Sequence, residues 1–135
     1  MTGQGRRSQW LVASAGVVMI ITAGFHALGY RPVVEQLVAS SVAVPWQACI
    51  RGLWLVYSLH LIVVGCLFLV AGIRPCRVST PVLLLVGLVP GFDTAMLFGF
   101  LGVFVGTIGL GLATVLLYVG AALRPGLVKS DDHGT

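Results

Sequence analysis

The chain has 135 residues, of which 58% are hydrophobic and only 9% are charged. An ordinary soluble domain carries roughly 25% charged residues, so this composition excludes a water-soluble fold. The formal net charge of +4 comes from basic residues that mostly flank apolar stretches, which points to the anionic face of a membrane and not to nucleic acid. One helix bundle uses most of this length, and we expect a single domain over residues 1–135.

The first two apolar runs are each long enough to cross a bilayer. The run at 10–30 has 21 residues, which at roughly 1.5 Å each span about 31 Å, the thickness of the hydrocarbon core. Trp10 and Tyr30 stand at its two ends, where interfacial aromatic residues are typical. The second run is flanked by arginines on both sides and predicts a span at about 50–72.

The third and fourth spans share one apolar stretch at 78–123. A turn at Pro90 would leave one helix too short to span and one longer than needed. We therefore expect a third span at about 78–97, bent at Pro90, and a fourth at about 103–123. This division places Asp93 inside a helix.

Basic residues are distributed unevenly between the two sets of loops. Six of them precede the first span, join the second to the third, or follow the fourth, and two lie in the remaining loops. Because cytoplasmic loops carry the excess of Lys and Arg, we expect an all-α integral membrane four-helix bundle, multi-pass in the cytoplasmic membrane of the cell, with both termini inside. The six are Arg6, Arg7, Arg74, Arg77, Arg124 and Lys129, and the two are Arg31 and Arg51.

Small residues fall on one side of two predicted helices, at steps of three, four or seven positions. Helices in a bilayer associate through close packing, because lipid tails supply no hydrophobic drive between them. These stripes predict packing faces, toward each other, toward a second copy of the chain or toward a larger membrane complex. They comprise Gly102, Gly106, Gly109, Ala113 and Gly120 in the fourth span, and Ser58, Gly65 and Gly72 in the second.

Four polar side chains fall inside the predicted spans: His26, Tyr57, His60 and Asp93. Ionisable groups at membrane depth are costly and usually face protein or water. Tyr57 and His60 are three residues apart on one side of their helix. With both termini inside, all four lie in the outer half of the membrane, which makes them the candidate ligand-binding residues.

Three interpretations of this cluster remain open. Two histidines on facing helices are common haem ligands, which suggests His26 and His60. A pocket for a quinone or lipid headgroup would use hydrogen bonds from Tyr57 and His60, with Asp93 fixing a histidine tautomer or accepting a proton. In the structural interpretation, each polar group bonds its own neighbours. We predict no metal site, since the potential ligands come one to a segment without close spacing.

Two short segments resemble a known family. Gly24-Phe25-His26 near the end of the first span, followed by Arg51-Gly52-Leu53-Trp54-Leu55 opening the second, resemble the small four-helix bacterial membrane proteins of the DoxX-like group. The resemblance implies a four-helix bundle in the cytoplasmic membrane and, for some relatives, a link to quinone-coupled redox chemistry. It implies no catalytic residue in this chain.

Two functions from different classes follow. The leading hypothesis is a small non-enzymatic structural or accessory subunit that packs through its glycine stripes. The alternative is a quinone- or haem-binding membrane redox protein with its site in the outer half of the bundle. The sequence has no phosphate-binding loop after a strand and no nucleophile elbow, so it offers no candidate residues for a hydrolase or kinase mechanism, and the absence of enzymatic activity is favoured but left open.

Overall fold

The computed structural model describes residues 3–124, and every regular element in that range is helical. Four helical segments, counting α1 and α2 as one, are long and apolar enough to cross a membrane. The all-α prediction is therefore confirmed. The helices are α1 (Gly3–Leu28), α2 (Tyr30–Ala39), α3 (Val44–Ile73), α4 (Thr80–Leu101) and α5 (Val105–Ala122), with a short 3₁₀ turn at Pro75–Arg77.

The helix bounds extend past the apolar runs at some ends. Helix α1 begins seven residues before the run at 10–30, and α3 begins at Val44, because a helix continues into the polar interface where the sequence allows it. Pro45 stands in the first turn of α3, where a missing N–H leaves no helical bond unmade.

Helix α4 continues through Pro90 and ends at Gly102. Thr94 Oγ1 donates a hydrogen bond to the Pro90 carbonyl, at 2.7 Å. Gly102 has a φ of +73°, the one positive φ among residues 3–124, and side chains other than glycine rarely adopt that conformation. The turn therefore lies at 102–104, and Asp93 is inside α4.

Helix α1 lies in the middle of the bundle and packs antiparallel on both α3 and α5, while α4 packs on α5 and barely touches α3. The order of helices is α3, α1, α5, α4, with a seam between the two outer members. The core side chains are mostly small or aliphatic; they are Val12, Ala15, Met19, Ala23, Leu61, Val64, Phe68, Ala71, Val78, Leu83, Leu110, Ala113, Leu117 and Ala121.

The predicted glycine face of α3 is covered by α1 within the same chain. A Cβ atom added at Gly65 would lie 3.0 Å from the Gly16 carbonyl oxygen, and one at Gly16 would lie 2.6 Å from the Gly65 carbonyl oxygen. A Cβ at Gly72 would lie 2.7 Å from the Cβ of Ala13. The two backbones are thus in direct contact.

The glycine face of α5 also meets α1, but only in part. A Cβ at Gly109 would clash with the Thr22 side chain, and Ala113 is fully buried. Gly106 approaches only the ring of Phe104, and nothing lies within 4 Å of the Cβ position of Gly102. Gly102 lies in the turn before α5, and the atoms nearest to the Cβ position of Gly106 belong to Phe104, two residues earlier.

Five arginines, Arg6, Arg7, Arg74, Arg77 and Arg124, lie at the end of the bundle where α1 begins and where α3 and α5 end; we call it the basic end.

Arg124 fastens the helices together at the basic end. Its guanidinium is buried and donates hydrogen bonds to the Val78 carbonyl at 2.8 Å and to the Ala71 carbonyl at 2.9 Å. Ser8 of α1 donates to the Gly120 carbonyl at 2.7 Å. The carbonyls at the end of a helix lack intrahelical partners, and these side chains supply them.

Replacing Gly16 with Ala should lower the free energy of unfolding in detergent by about 1–3 kcal/mol, because the new methyl group meets backbone atoms of α3 that cannot move aside. Gly24→Ala is the matched control in the same helix, with nothing within 4 Å of its Cβ position. It should raise stability by about 0.5–1 kcal/mol through helix propensity. Equal effects of the two substitutions would contradict the direct contact of backbones.

Replacing Arg124 with Met keeps the apolar part of the side chain and removes both hydrogen bonds. We expect a loss of about 2–3 kcal/mol, because two carbonyls lose a charged donor. The exposed Arg77, changed to Met, is the control and should shift stability by less than about 0.5 kcal/mol. Thermal unfolding followed by circular dichroism measures both, and a stable Arg124→Met protein would argue against the fastening role.

Candidate functional site

The candidate site is built from three helices at the end opposite the basic end. His26 lies in the last turn of α1, and Trp54, Tyr57 and His60 follow one another at intervals of three on α3. That spacing places them along one side of the helix. Asp93 comes from α4, about two turns before its end.

Reciprocal hydrogen bonds join α1 to α3 at this end. The Trp54 indole donates to the His26 carbonyl at 2.8 Å, and His26 Nδ1 lies 2.9 Å from Ser58 Oγ. The Ser58 hydroxyl donates its proton to the Trp54 carbonyl at 3.0 Å, so it accepts from His26 Nδ1–H. This fixes the neutral His26 in one tautomer, with Nε2 as its acceptor nitrogen.

The aromatic rings form a continuous row, which we call the aromatic ladder: Trp54, His26, Tyr57 and His60. The His26 and Trp54 rings stack with their centroids 4.2 Å apart and 17° between their planes. Tyr57 meets His26 edge-on at 5.0 Å and stacks on His60 at 6.0 Å. Packing on both sides therefore limits the rotation of the Tyr57 ring.

His60 and Asp93 connect the two sides of the seam between α3 and α4. His60 Nε2 lies 3.8 Å from Asp93 Oδ2, which is too long for a hydrogen bond. An ion pair exists only when the imidazole is protonated. The two side chains are therefore close neighbours that make no direct hydrogen bond.

An open groove of about 570 Å³ runs along this seam; we call it the polar groove. Two buried oxygens in it, Tyr57 Oη and Asp93 Oδ2, make no hydrogen bond of standard geometry among residues 3–124, although the Tyr57 hydroxyl lies close enough to the Asp93 side chain to interact with it. Leaving such a group unpaired costs about 1–3 kcal/mol, so a bound molecule that supplied partners would recover that free energy. Its lining comprises His26, Ile50, Leu53, Trp54, Val56, Tyr57, His60, Val89 and Asp93.

A second cavity of about 370 Å³ lies among α1, α3, the end of α4 and the start of α5. We call it the inner chamber. It shares His26, Trp54 and Tyr57 with the polar groove, so the aromatic ladder is a wall common to both. Most of its other lining is apolar: Phe25, Leu61, Leu97, Leu101, Phe104, Val105 and Leu110, with Thr22 and Gly106.

The four side chains proposed from the sequence, His26, Tyr57, His60 and Asp93, all line the polar groove. Sequence reasoning missed Trp54 as a site residue and assigned Ser58 to packing alone. The intervals 54, 57 and 60 would have indicated Trp54, since a polar-edged aromatic three residues before Tyr57 shares its side of the helix.

The side chains that could bind a metal ion lie on several different helices of the described chain. Among residues 3–124, no group of three His, Cys, Asp or Glu side chains comes close enough to hold a metal ion. Glu35 pairs with Arg31 at 2.9 Å on the exposed surface of α2.

No family model, curated protein or solved structure matches the chain. The resemblance to the DoxX-like group stays a prediction that rests on residues 24–26 and 51–55. Each of these segments contributes one ring of the aromatic ladder, His26 and Trp54.

Proposed function

We propose that this chain is a multi-pass membrane protein that binds a quinone or quinol in the polar groove. The observation that carries this proposal is the convergence of His26, Tyr57, His60 and Asp93 from three helices on one groove. Two buried oxygens there, on the neighbouring side chains Tyr57 and Asp93, make no hydrogen bond of standard geometry within the described chain.

The outward surface of the helices supports a location in the membrane. Large apolar side chains point away from the bundle, with Phe100 80% exposed, Leu28 75% and Val103 71%, whereas alanine and glycine occupy much of the interior. In water, this surface would form apolar patches far larger than monomeric soluble proteins carry. In a bilayer, the same surface is solvated by lipid tails.

The charges of the loops support an orientation with both termini inside. The basic end carries five of the seven arginines in residues 3–124, and the opposite end carries Arg31 and Arg51. The positive-inside rule places the basic end in the cytoplasm. The polar groove then lies in the outer half of the membrane.

The chemistry of the groove fits a quinone head. Tyr57 Oη can donate a hydrogen bond to a quinone carbonyl, and the Asp93 carboxylate can accept one from a quinol hydroxyl. The aromatic ladder offers flat faces against which a ring can stack. The groove opens along the seam between α3 and α4, so an apolar tail can extend into the lipid.

Haem is less well supported than quinone by this geometry. One face of the His26 ring stacks on Trp54. The Tyr57 ring contacts both imidazoles. A haem held between two histidines needs an open slot at that position.

The accessory-subunit hypothesis stays a prediction, but three of the residues proposed to contact a partner lie inside the bundle of the same chain. Gly65, Gly72 and Gly109 are covered by α1 of the same chain. A partner would have to pack on the outward apolar faces instead. No specific feature of those faces favours a partner over lipid.

The natural cysteines provide a test of the orientation. Cys49 lies near the start of α3 and Cys76 in the turn at the basic end, and both are exposed. We expect a membrane-impermeant maleimide to label a Cys49-only variant on intact cells, and a Cys76-only variant only after permeabilisation. Serine replaces the other two cysteines in each variant. The reverse pattern would overturn the orientation, and labelling of both on intact cells would overturn the crossing.

Quinone binding can be followed by the fluorescence of Trp54, since quinones quench indole emission at close range. In a variant with Trp10→Phe and Trp46→Phe, a short-chain quinone should quench Trp54 saturably. Adding Tyr57→Phe should raise the Kd roughly tenfold, the equivalent of one hydrogen bond of about 1.4 kcal/mol. Asp93→Asn should weaken quinol binding more than quinone binding.

The stability of the ligand-free protein separates a binding role from a structural one. Because the Tyr57 hydroxyl makes no hydrogen bond of standard geometry in residues 3–124, Tyr57→Phe should change the free energy of unfolding by less than about 1 kcal/mol. Tyr118→Phe is the matched control, since that hydroxyl donates to the Leu84 carbonyl and lies outside the groove. It should leave the Kd unchanged. Unsaturable quenching, or a Tyr57→Phe variant that loses stability and keeps its affinity, would refute the proposal.

A further inference from the structure

A third cavity, of about 350 Å³, lies at the basic end between the first turns of α1 and the last turn of α3. We call it the basic cleft. Its α1 side carries Arg6, Gln9, Trp10 and Ala13, and its α3 side carries Gly72 and Ile73. Polar and aromatic side chains thus line one wall of the cleft, and an apolar residue lines the other.

The cleft exists because α1 continues past the end of α3. Ala13 contacts Gly72 where the two helices cross closely, and α3 ends one residue later at Ile73. Helix α1 extends ten more residues, to Gly3. Beyond the Ala13 contact, therefore, no helix covers this side of α1 in the described chain.

The charges at this end have no acidic partner in residues 3–124. The acidic residues of that range are Glu35 and Asp93, and both lie toward the opposite end. Arg6 is exposed and lines the cleft, and Arg74 follows the lining residue Ile73 directly as the C-cap residue of α3. The cleft therefore presents a positive rim above an apolar wall.

We propose that the basic cleft binds the phosphodiester headgroup of an anionic membrane phospholipid. The guanidinium of Arg6 pairs with phosphate oxygens in two parallel hydrogen bonds, and the Gln9 amide donates a further one. Trp10, 69% exposed, lies at the headgroup level where indole rings are favoured. The acyl chains run along Ile73 and the outward face of α3. This assignment rests on the membrane location proposed above, and it is independent of quinone binding.

Fluorescence of Trp10 tests this site in the full chain. In a variant with Trp46→Phe and Trp54→Phe, reconstituted in phosphatidylcholine vesicles, a small fraction of brominated phosphatidylglycerol should quench Trp10 more than the same fraction of brominated phosphatidylcholine. The difference measures the local enrichment of the anionic lipid. Arg6→Gln should reduce that enrichment by roughly fivefold, as expected for one arginine near a phosphate.

Arg7→Gln is the matched control. The substitution removes the same charge one residue away, and Arg7 does not line the cleft. It should reduce the enrichment by at most about twofold, since exposed charges are screened. Equal losses in the two variants, or equal quenching by the two lipids, would overturn the site. Abolition of the enrichment by inorganic phosphate would assign the cleft to a free anion and overturn the lipid.

A second measurement keeps the test valid if the tryptophan variants fold poorly. Native mass spectrometry of the chain with all three tryptophans should show one retained phosphatidylglycerol that Arg6→Gln loses and Arg7→Gln keeps. Flotation of the vesicles distinguishes the two proposals. A chain that does not float with the vesicles refutes the membrane location, whereas a chain that floats without lipid preference refutes only the basic cleft.

Discussion

Direct contact between the backbones of α1 and α3 is the constraint on which the rest of the bundle depends. The carbonyl oxygens of Gly16 and Gly65 each lie where a side chain on the other residue would stand. Backbones this close gain many dispersion contacts, which hold the two helices together. Since α5 occupies the other side of α1 in the same way, α1 fills the centre, and α4 reaches the bundle only through α5. The seam between α3 and α4 follows from that order.

The aromatic ladder stands in this seam because the crossing brings the end of α1 beside residues 54–58 of α3. His26 is held by Ser58 and Trp54 through its side chain and its carbonyl. These bonds satisfy the polar groups on the α1 side of the ladder. Tyr57 packs between two imidazoles, and its buried hydroxyl lies near Asp93 in the seam without a hydrogen bond of standard geometry in residues 3–124. The contacts with His26 and His60 thus hold the Tyr57 ring in place and leave its hydroxyl available as a hydrogen-bond donor.

Periodicity and length predict the helices well because a bilayer imposes both. The run at 10–30 had to be helical, and the three-residue spacing of Tyr57 and His60 had to place them on one side. The partner of the glycine faces was not predictable. Helix α1 carries small residues on two sides, and only the three-dimensional packing shows that Gly16 meets α3 while Thr22 meets α5.

The break between the last two spans shows a different limit of sequence reasoning. Proline is a stronger helix-breaking signal in a sequence than glycine. Pro90 nevertheless lies inside α4, where Thr94 Oγ1 donates a hydrogen bond to its carbonyl. Gly102 ends the helix through a backbone conformation that the sequence does not display. The choice mattered for the site, because a helix ending at Pro90 would have left Asp93 in a loop away from His60.

Polar side chains in this chain divide into two groups by what they bond. Ser8, Ser58, Tyr118 and Arg124 each donate to a backbone carbonyl of another turn or helix, and they account for the cohesion of the bundle. The buried side-chain atoms without a partner in residues 3–124 belong to Arg51, Tyr57 and Asp93. If such atoms were mere imperfections of packing, they would be scattered along the helices. Instead all three lie toward the end opposite the basic end, two of them in one groove. Because an unpaired polar group in apolar surroundings is costly, the proposal of a ligand in the polar groove rests on their shared location.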